Sequence, residues 1–214
     1  MLLLKSTSDA PAHNCALEAS FLTTEPLARE ALLFYINRPA VLVGRNQCIE
    51  AEVDTAYCRA HGIEIIRRIS GGGAVYHDYG NINYAFICDR GATPLLDMDF
   101  ATPVMAALQS FGIRATVGAR KELLVNGRKI SGTASHMTRG RLLFHGTLLH
   151  RTHPEHLSCA LQGNPALRGR CVASIPSPVA NLSDLTGTTE TTMEFLARLI
   201  RFFSVYYDTE PMEV

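Results

Sequence analysis

The stretch Arg67-Arg-Ile-Ser-Gly-Gly-Gly-Ala-Val-Tyr-His-Asp-Tyr-Gly-Asn-Ile-Asn83 decides how this chain folds and what chemistry it can carry. Gly71, Gly72 and Gly73 stand between an arginine pair and an apolar run, so a loop of wide backbone freedom leads into a strand. Without Cβ atoms in the way, backbone N–H groups can approach an anion closely, and Arg67 and Arg68 bring charge suited to phosphate. The loop is neither of the common nucleotide fingerprints, because Gly-x-x-x-x-Gly-Lys-Ser/Thr and Gly-x-Gly-x-x-Gly are both missing. Taken alone, a triglycine reads as a tight turn sooner than as a ligand cradle.

Outward from the loop, β-branched or alternating runs at Val41–Val43, Ile63–Ile66, Ile82–Ile87, Ile113–Val117 and Leu142–Leu149 read as strands. Helices are expected over Val53–His61 and Phe100–Phe111, each stopped by a glycine, Gly62 and Gly112, that can take the left-handed conformation. Asn126-Gly127 between Glu122–Val125 and Arg128–Ser131 favours a type I′ hairpin that presents Lys129. A last helix starts near Thr191, with Glu194 as its capping-box partner, and buries Phe195, Leu196, Leu199, Ile200 and Phe203 on one face. Hairpins and inserted helices without a regular βαβ rhythm predict an α+β fold, a mixed β-sheet with flanking helices.

With 214 residues, 47% of them hydrophobic and 19% charged, the chain fits one globular domain with a full core. Twenty basic and twenty acidic side chains cancel, which excludes bulk attraction to nucleic acid or membrane as the basis of recognition. Leu2-Leu3-Leu4 is too short for a signal-peptide core, and no stretch approaches a membrane span, so a cytoplasmic protein is expected. The six cysteines at 15, 48, 58, 88, 159 and 171 form no Cys-x-x-Cys pair, so free thiols are expected rather than a zinc site or disulfide framework.

Two further segments change the reading of the glycine loop: Asn126-Gly-Arg-Lys-Ile-Ser-Gly-Thr-Ala-Ser135 and Phe144-His-Gly-Thr-Leu-Leu149. With the loop they form three ordered motifs, and the chain resembles the lipoate-protein ligase A and lipoyltransferase family. Asn14-Cys-Ala-Leu-Glu18 is similar to that family's first helix, Val41-Leu-Val-Gly-Arg-Asn-Gln47 to its strand and loop, and Ala173-Ser-Ile-Pro-Ser-Pro-Val-Ala-Asn-Leu182 to its mitochondrial lipoyltransferase branch. The resemblance implies the catalytic fold shared with biotin protein ligases and class II aminoacyl-tRNA synthetases. It also implies that residues 1–214 form the catalytic domain without the accessory C-terminal domain usual in the ligases, so that a separate accessory protein could complete it.

The implied activity attaches lipoate, through lipoyl-AMP, to a specific lysine on lipoyl domains of 2-oxoacid dehydrogenase or glycine cleavage proteins, with ATP, magnesium and lipoate consumed as substrates and activator. Hydroxide is a poor leaving group, so such an enzyme must hold phosphates, neutralise charge at the reacting centre and bury an apolar chain. The resemblance assigns Arg68, Ser70, Gly71, Gly72, Gly73, Ala74, Val75 and Tyr76 to the adenylate. Lys129 is the implied catalytic residue, since an ammonium on a flexible stem can touch phosphate and acyl oxygen together.

Arg45, Gly72, Lys129, Ser131, Gly132, His145 and Gly146 are the implied lipoyl contacts, with Val43, Ala74 and Ala134 available as apolar wall. Arg45 reads equally as a turn cap, and His145 equally as a satisfied core histidine; His77 is assigned to support of the loop. No metal ligand is assigned, but Glu122 is the candidate, because Lys121-Glu122 stands where bacterial ligases carry Asn-Asp. Two other functions stay open: an octanoyl or lipoyl acyltransferase working through a cysteine thioester at Cys159 or Cys171, and a non-catalytic lipoyl-AMP binder. Cationic Arg168 and Arg170 beside Cys171 would favour a thiolate there, whereas an intact Lys129 argues against a mere binder.

Overall fold

The computed structural model describes residues 1–23, 30–89 and 99–214. The chain begins β1 (Leu2–Lys5), α1 (Pro11–Thr23), β2 (Ala31–Tyr35), β3 (Ala40–Val43), α2 (Ile49–Glu52), α3 (Thr55–Ala60), β4 (Glu64–Arg67), β5 (Val75–His77) and β6 (Asn81–Asp89). It continues α4 (Ala101–Ser110), β7 (Thr116–Val117), β8 (Leu123–Val125), β9 (Arg128–Ser131), β10 (Thr133–Thr138) and β11 (Arg141–Leu149). The last elements are α5 (Pro154–Ala160), α6 (Leu182–Thr186), α7 (Thr192–Tyr206) and β12 (Pro211–Glu213).

Six strands build the central sheet in the order β10-β11-β6-β2-β1-β12, antiparallel from β10 to β2 and parallel from β2 to β12. Two three-stranded sheets flank it, β4-β3-β5 and β7-β8-β9. This is the expected α+β arrangement, a mixed sheet with helices on its faces. Ala31-Leu-Leu-Phe-Tyr35 is buried throughout because both faces of β2 are covered. Leu33 and Tyr35 pack with Leu22 of α1, while Leu32 and Phe34 pack with Phe195, Leu199 and Phe203 of α7.

Most local expectations hold. Asn126 (φ 52°) and Gly127 (φ 74°) make the turn between β8 and β9 with the two left-handed residues a type I′ turn requires. Thr191 and Glu194 form both halves of the capping box of α7. Two boundaries and one omission need correction. The helix expected from Val53 starts only at Thr55, because Val53 is extended and the Asp54 carboxylate caps the Tyr57 N–H at 2.8 Å. The strand expected over Ile113–Val117 shrinks to Thr116–Val117, and Ile113 instead enters the core beside α4 and α7. After α7 the chain adds β12 alongside β1, where the sequence reading had placed no element.

Gly146 lies in mid-strand against Tyr84, and a Cβ there would stand 2.4 Å from the Tyr84 Oη and 2.5 Å from its Cζ. Its smallness admits that buried ring. Gly146→Ala should therefore destabilise the fold by about 1–3 kcal/mol in urea unfolding; wild-type stability would show that Tyr84 can move aside freely.

Candidate active site

The glycine loop leaves β4, crosses above β3 and enters β5, and Arg68 holds it from beneath. Arg68 is 5% exposed, and its guanidinium is fully engaged along the loop. Nε donates to Ser70 Oγ at 2.9 Å, one terminal nitrogen to the Leu42 carbonyl at 2.8 Å, and the other to the Gly71 and Gly73 carbonyls at 2.6 and 2.7 Å. Arg67, though exposed, places one terminal nitrogen against the carbonyls of Gly44, Arg45 and Gln47. The pair expected to bring charge to phosphate is thus bonded to the backbone around the loop, with Arg68 also lining the cleft. Planar forks satisfy carbonyls that the irregular loop would otherwise leave orphaned. Burial draws the Arg68 pKa down to about 10, against the pull of Cys15, Glu18 and Tyr35, and the group stays cationic.

Below the loop a buried polar chain fixes proton positions. Tyr35 donates to Glu18 at 2.9 Å, and Glu18 also accepts from His145 Nδ1 at 2.9 Å. His145 Nε2 then accepts from Ser70, 2.7 Å away, whose oxygen takes the Arg68 proton. His145 is therefore satisfied on both ring nitrogens, and Ser70 fixes the loop as expected. Glu18 is 2% exposed on the α1 face that carries Asn14 and Leu22. Sequence reasoning gave Glu18 no role, although a carboxylate at four-residue spacing on a buried helical face was the signal.

A cleft of about 330 Å³ opens between the loop and the β8–β9 hairpin. Of the expected adenylate and lipoyl residues, Arg68, Gly72, Gly73, Ala74, Val75, Lys129, Gly132, His145 and Gly146 line it, as does Glu122. Arg45, Ser70, Gly71, Tyr76 and Ser131 do not. Arg45 is exposed; Tyr76, one residue along β5 from Val75, turns to the opposite face and packs with Val41 and Cys58. Ser131 points into the core beside the Tyr84 hydroxyl at 3.2 Å. Leu42 rather than Val43 forms the apolar wall with Ala74 and Ala134. Neither Cys159 nor Cys171 lines the cleft, although Val172, next to Cys171, does.

Lys129 is half-buried, and its Nζ lies where a Cβ on residue 132 would approach to 3.1 Å, so Gly132 makes room for the ammonium. Burial lowers its pKa and Arg120 lowers it further, while Glu122 opposes both. Glu122 itself accepts from the Arg120 N–H at 2.7 Å and lies 3.7 Å from the Arg120 guanidinium. Among the described residues no cluster of three or more histidine, cysteine or acidic side chains could hold a metal ion.

The segment 172–180 passes over the cleft as a strap, and sequence reasoning gave it no role at the site. Ser174 Oγ accepts from the Ala74 N–H at 2.9 Å and from Gln47 at 3.0 Å, and the Ser174 N–H donates to Glu52 at 2.9 Å. A Cβ on residue 73 would come within 3.0 Å of Ser174 Oγ, so this approach needs Gly73. Further along, the Lys129 N–H donates to the Pro178 carbonyl at 2.9 Å, and the Lys129 carbonyl accepts from Ala180 at 3.1 Å. One strap thus ties the glycine loop to the lysine hairpin.

The chain belongs to the lipoyl protein ligase A/B catalytic domain family, whose model matches residues 10–204. It is 39% identical over 193 residues to the lipoate-protein ligase LplJ of Bacillus subtilis, covering 89% of this chain and 58% of that relative. A crystal structure of lipoate-protein ligase A bound with ATP superposes with a TM-score of 0.79 at 27% identity, over 100% of this chain and 88% of the other. The bi-partite lipoate protein ligase of Thermoplasma acidophilum, studied with its E2 lipoyl domain, gives a TM-score of 0.77 at 26% identity, over 100% and 86% of the two chains.

If Arg68 is a clamp, charge alone cannot replace it. Arg68→Lys should lose about 2 kcal/mol or more of stability in chemical denaturation, since one ammonium cannot reach three carbonyls and a hydroxyl. An unchanged unfolding midpoint and slope would show that the loop holds without the fork.

Proposed function

We propose that this chain is the catalytic domain of an ATP-dependent lipoate-protein ligase that joins lipoate to a lysine of a lipoyl domain by way of lipoyl-AMP. The observation that carries this reading is a single cleft in which Lys129 faces the backbone of Gly72–Val75 at the charged end, while Leu42, Ala74 and Ala134 wall the apolar side. In the first half-reaction a carboxylate oxygen of lipoate attacks the α-phosphorus of ATP, and pyrophosphate leaves. In the second, the acceptor lysine amine attacks the acyl carbonyl, AMP leaves with the bonding electrons, and the amine loses a proton. Both transition states gather negative charge near one place, and an ammonium that is partly desolvated acts there more strongly than in water.

Magnesium would enter with the nucleotide phosphates, because Glu122 is committed to Arg120. The partners proposed are lipoyl-domain acceptors in the cytoplasm and, by analogy with the bi-partite ligase, a separate accessory chain. Lipoyl domains of 2-oxoacid dehydrogenase or glycine cleavage proteins are the acceptors to try first.

Intact-mass measurement of a lipoyl domain incubated with this chain tests the reading, using either lipoate with Mg-ATP or supplied lipoyl-adenylate. The acceptor should gain one lipoyl group, faster from lipoyl-adenylate when no accessory chain is added. Lys129→Ala should slow both half-reactions about a hundredfold or more, with little rescue by the bulkier, planar Lys129→Arg. Cys171→Ala and Cys159→Ala should stay within about tenfold of wild type. A folded Lys129→Ala with near-normal transfer, an acylated cysteine that chases into the acceptor, or a wild type that binds lipoyl-adenylate without transferring it would each contradict the proposal.

A further inference from the structure

At the inner end of the cleft a buried imidazole carries a nitrogen without a partner. His77 is 2% exposed and lines the cleft, and its Nε2 makes no hydrogen bond among the described residues. Its protonation can be read from the amides behind it. The Ser8 carbonyl can only accept, so the Asn14 side-chain atom 2.9 Å from it is nitrogen. That nitrogen also donates to Asn37 Oδ1 at 2.8 Å, while Asn14 Oδ1 accepts from Ser6 at 2.7 Å. Asn37 must then turn its own nitrogen to His77 Nδ1, 3.0 Å away, and Nδ1 must accept. A neutral ring that accepts at Nδ1 bears its hydrogen on Nε2. Burial, with Arg68 and His145 adding to it, pushes the His77 pKa down to about 3, so the ring is neutral near pH 7.

The other polar side chains at this end each have a partner, though the Asn83 amide keeps a second N–H. Tyr35 donates to Glu18, and the Asn83 amide donates to the Tyr35 carbonyl at 3.3 Å and accepts from Asn81 at 2.9 Å. His145 uses both nitrogens. On the hairpin side the cleft carries Lys129, Arg120 and Glu122, with Arg120 exposed, whereas Arg68, the charged group that acts on His77, has its donors on the loop and Leu42. A carboxyl or acyl-phosphate group belongs on the hairpin side, which sends the far end of the acyl chain toward His77.

We infer that His77 is a specificity-determining residue, its Nε2–H donor selecting an acyl chain that ends in divalent sulfur over one that ends in methyl. The inference rests on the lipoyl reading above and adds to it which feature of the acyl group is read. Sulfur is a weak acceptor, but it gives the buried N–H a partner, whereas a methyl group leaves that donor desolvated and unpaired.

Calorimetric titration of wild type, His77→Leu and His77→Gln with lipoate and with octanoate measures the preference. Wild type should favour lipoate, the ratio of affinities should fall about three- to tenfold in His77→Leu, and His77→Gln should keep most of it. The glutamine amide can still accept from Asn37 and donate inward. An unchanged ratio in a folded His77→Leu, or equal affinities in wild type, overturns this inference alone; a wild type that binds neither acid overturns the lipoyl reading and the inference with it. Nitrogen-15 spectra of histidine-labelled wild type supply a test that needs no variant. They should give an Nε2–H tautomer with no titration between about pH 5 and 8, whose proton shifts on adding lipoate more than on adding octanoate. An Nδ1–H tautomer, or equal shifts with the two acids, would refute it.

Discussion

Four hydrogen bonds from the buried guanidinium of Arg68 are what the rest of the site depends on. Three of them end on backbone carbonyls, of Leu42 in β3 and of Gly71 and Gly73 in the loop, and the fourth on Ser70. A run of three glycines has more conformational entropy to lose than any other tripeptide, so it does not hold one shape unaided. The arginine supplies the shape. It spends its donors on the loop, and the loop in turn offers its own backbone to the cleft.

The chain Tyr35, Glu18, His145, Ser70 and Arg68 extends this constraint through the sheet to α1. Every proton in it has a direction, with two O–H and two N–H donors running from Tyr35 on one arm and from Arg68, Ser70 and His145 on the other to a carboxylate that only accepts. With Glu18 ionised and Arg68 cationic, the buried charges compensate each other, which lowers the cost of holding either away from water. Burial and the nearby Glu18 charge push the Cys15 thiol up to about 12, so it remains protonated beside this network. The strap at 172–180 closes the arrangement from above, where Ser174 grips the loop and Pro178 and Ala180 grip Lys129. Loop, lysine and strap are thereby one mechanical unit, in which displacing any member loosens the other two.

Elements with strong local chemistry could be read from sequence, and those set by long-range burial could not. The hairpin at Asn126-Gly127 and the Thr191 capping box are fixed by neighbours within a few residues, and both formed as read. By contrast β2 is a five-residue apolar run, which periodicity cannot separate from a buried helix turn, and its identity follows only from the helices on its two faces. At the site, Lys129 and Gly72–Val75 were legible because their motifs carry them. The side chains of Tyr76 and Ser131 turn away from the cleft, a direction that depends on register and not on the motif. Tyr35 and His77 come from distant segments that only the folded sheet brings to one cavity, with Glu18 of α1 bonded to Tyr35 behind it. The two arginines were legible as important but not as clamps, since a sequence gives a charge and not what it is bonded to.

The most direct test of this account is a crystal structure of the chain with a non-hydrolysable lipoyl-adenylate analogue. The account predicts the analogue's phosphate mimic against the Gly72–Val75 backbone and Lys129 Nζ, its dithiolane at the inner end beside His77, and Arg68 still bonded to Leu42, Gly71, Gly73 and Ser70. A structure in which Arg68 leaves those carbonyls to pair with the analogue, or in which Lys129 makes no contact with it, would contradict the account.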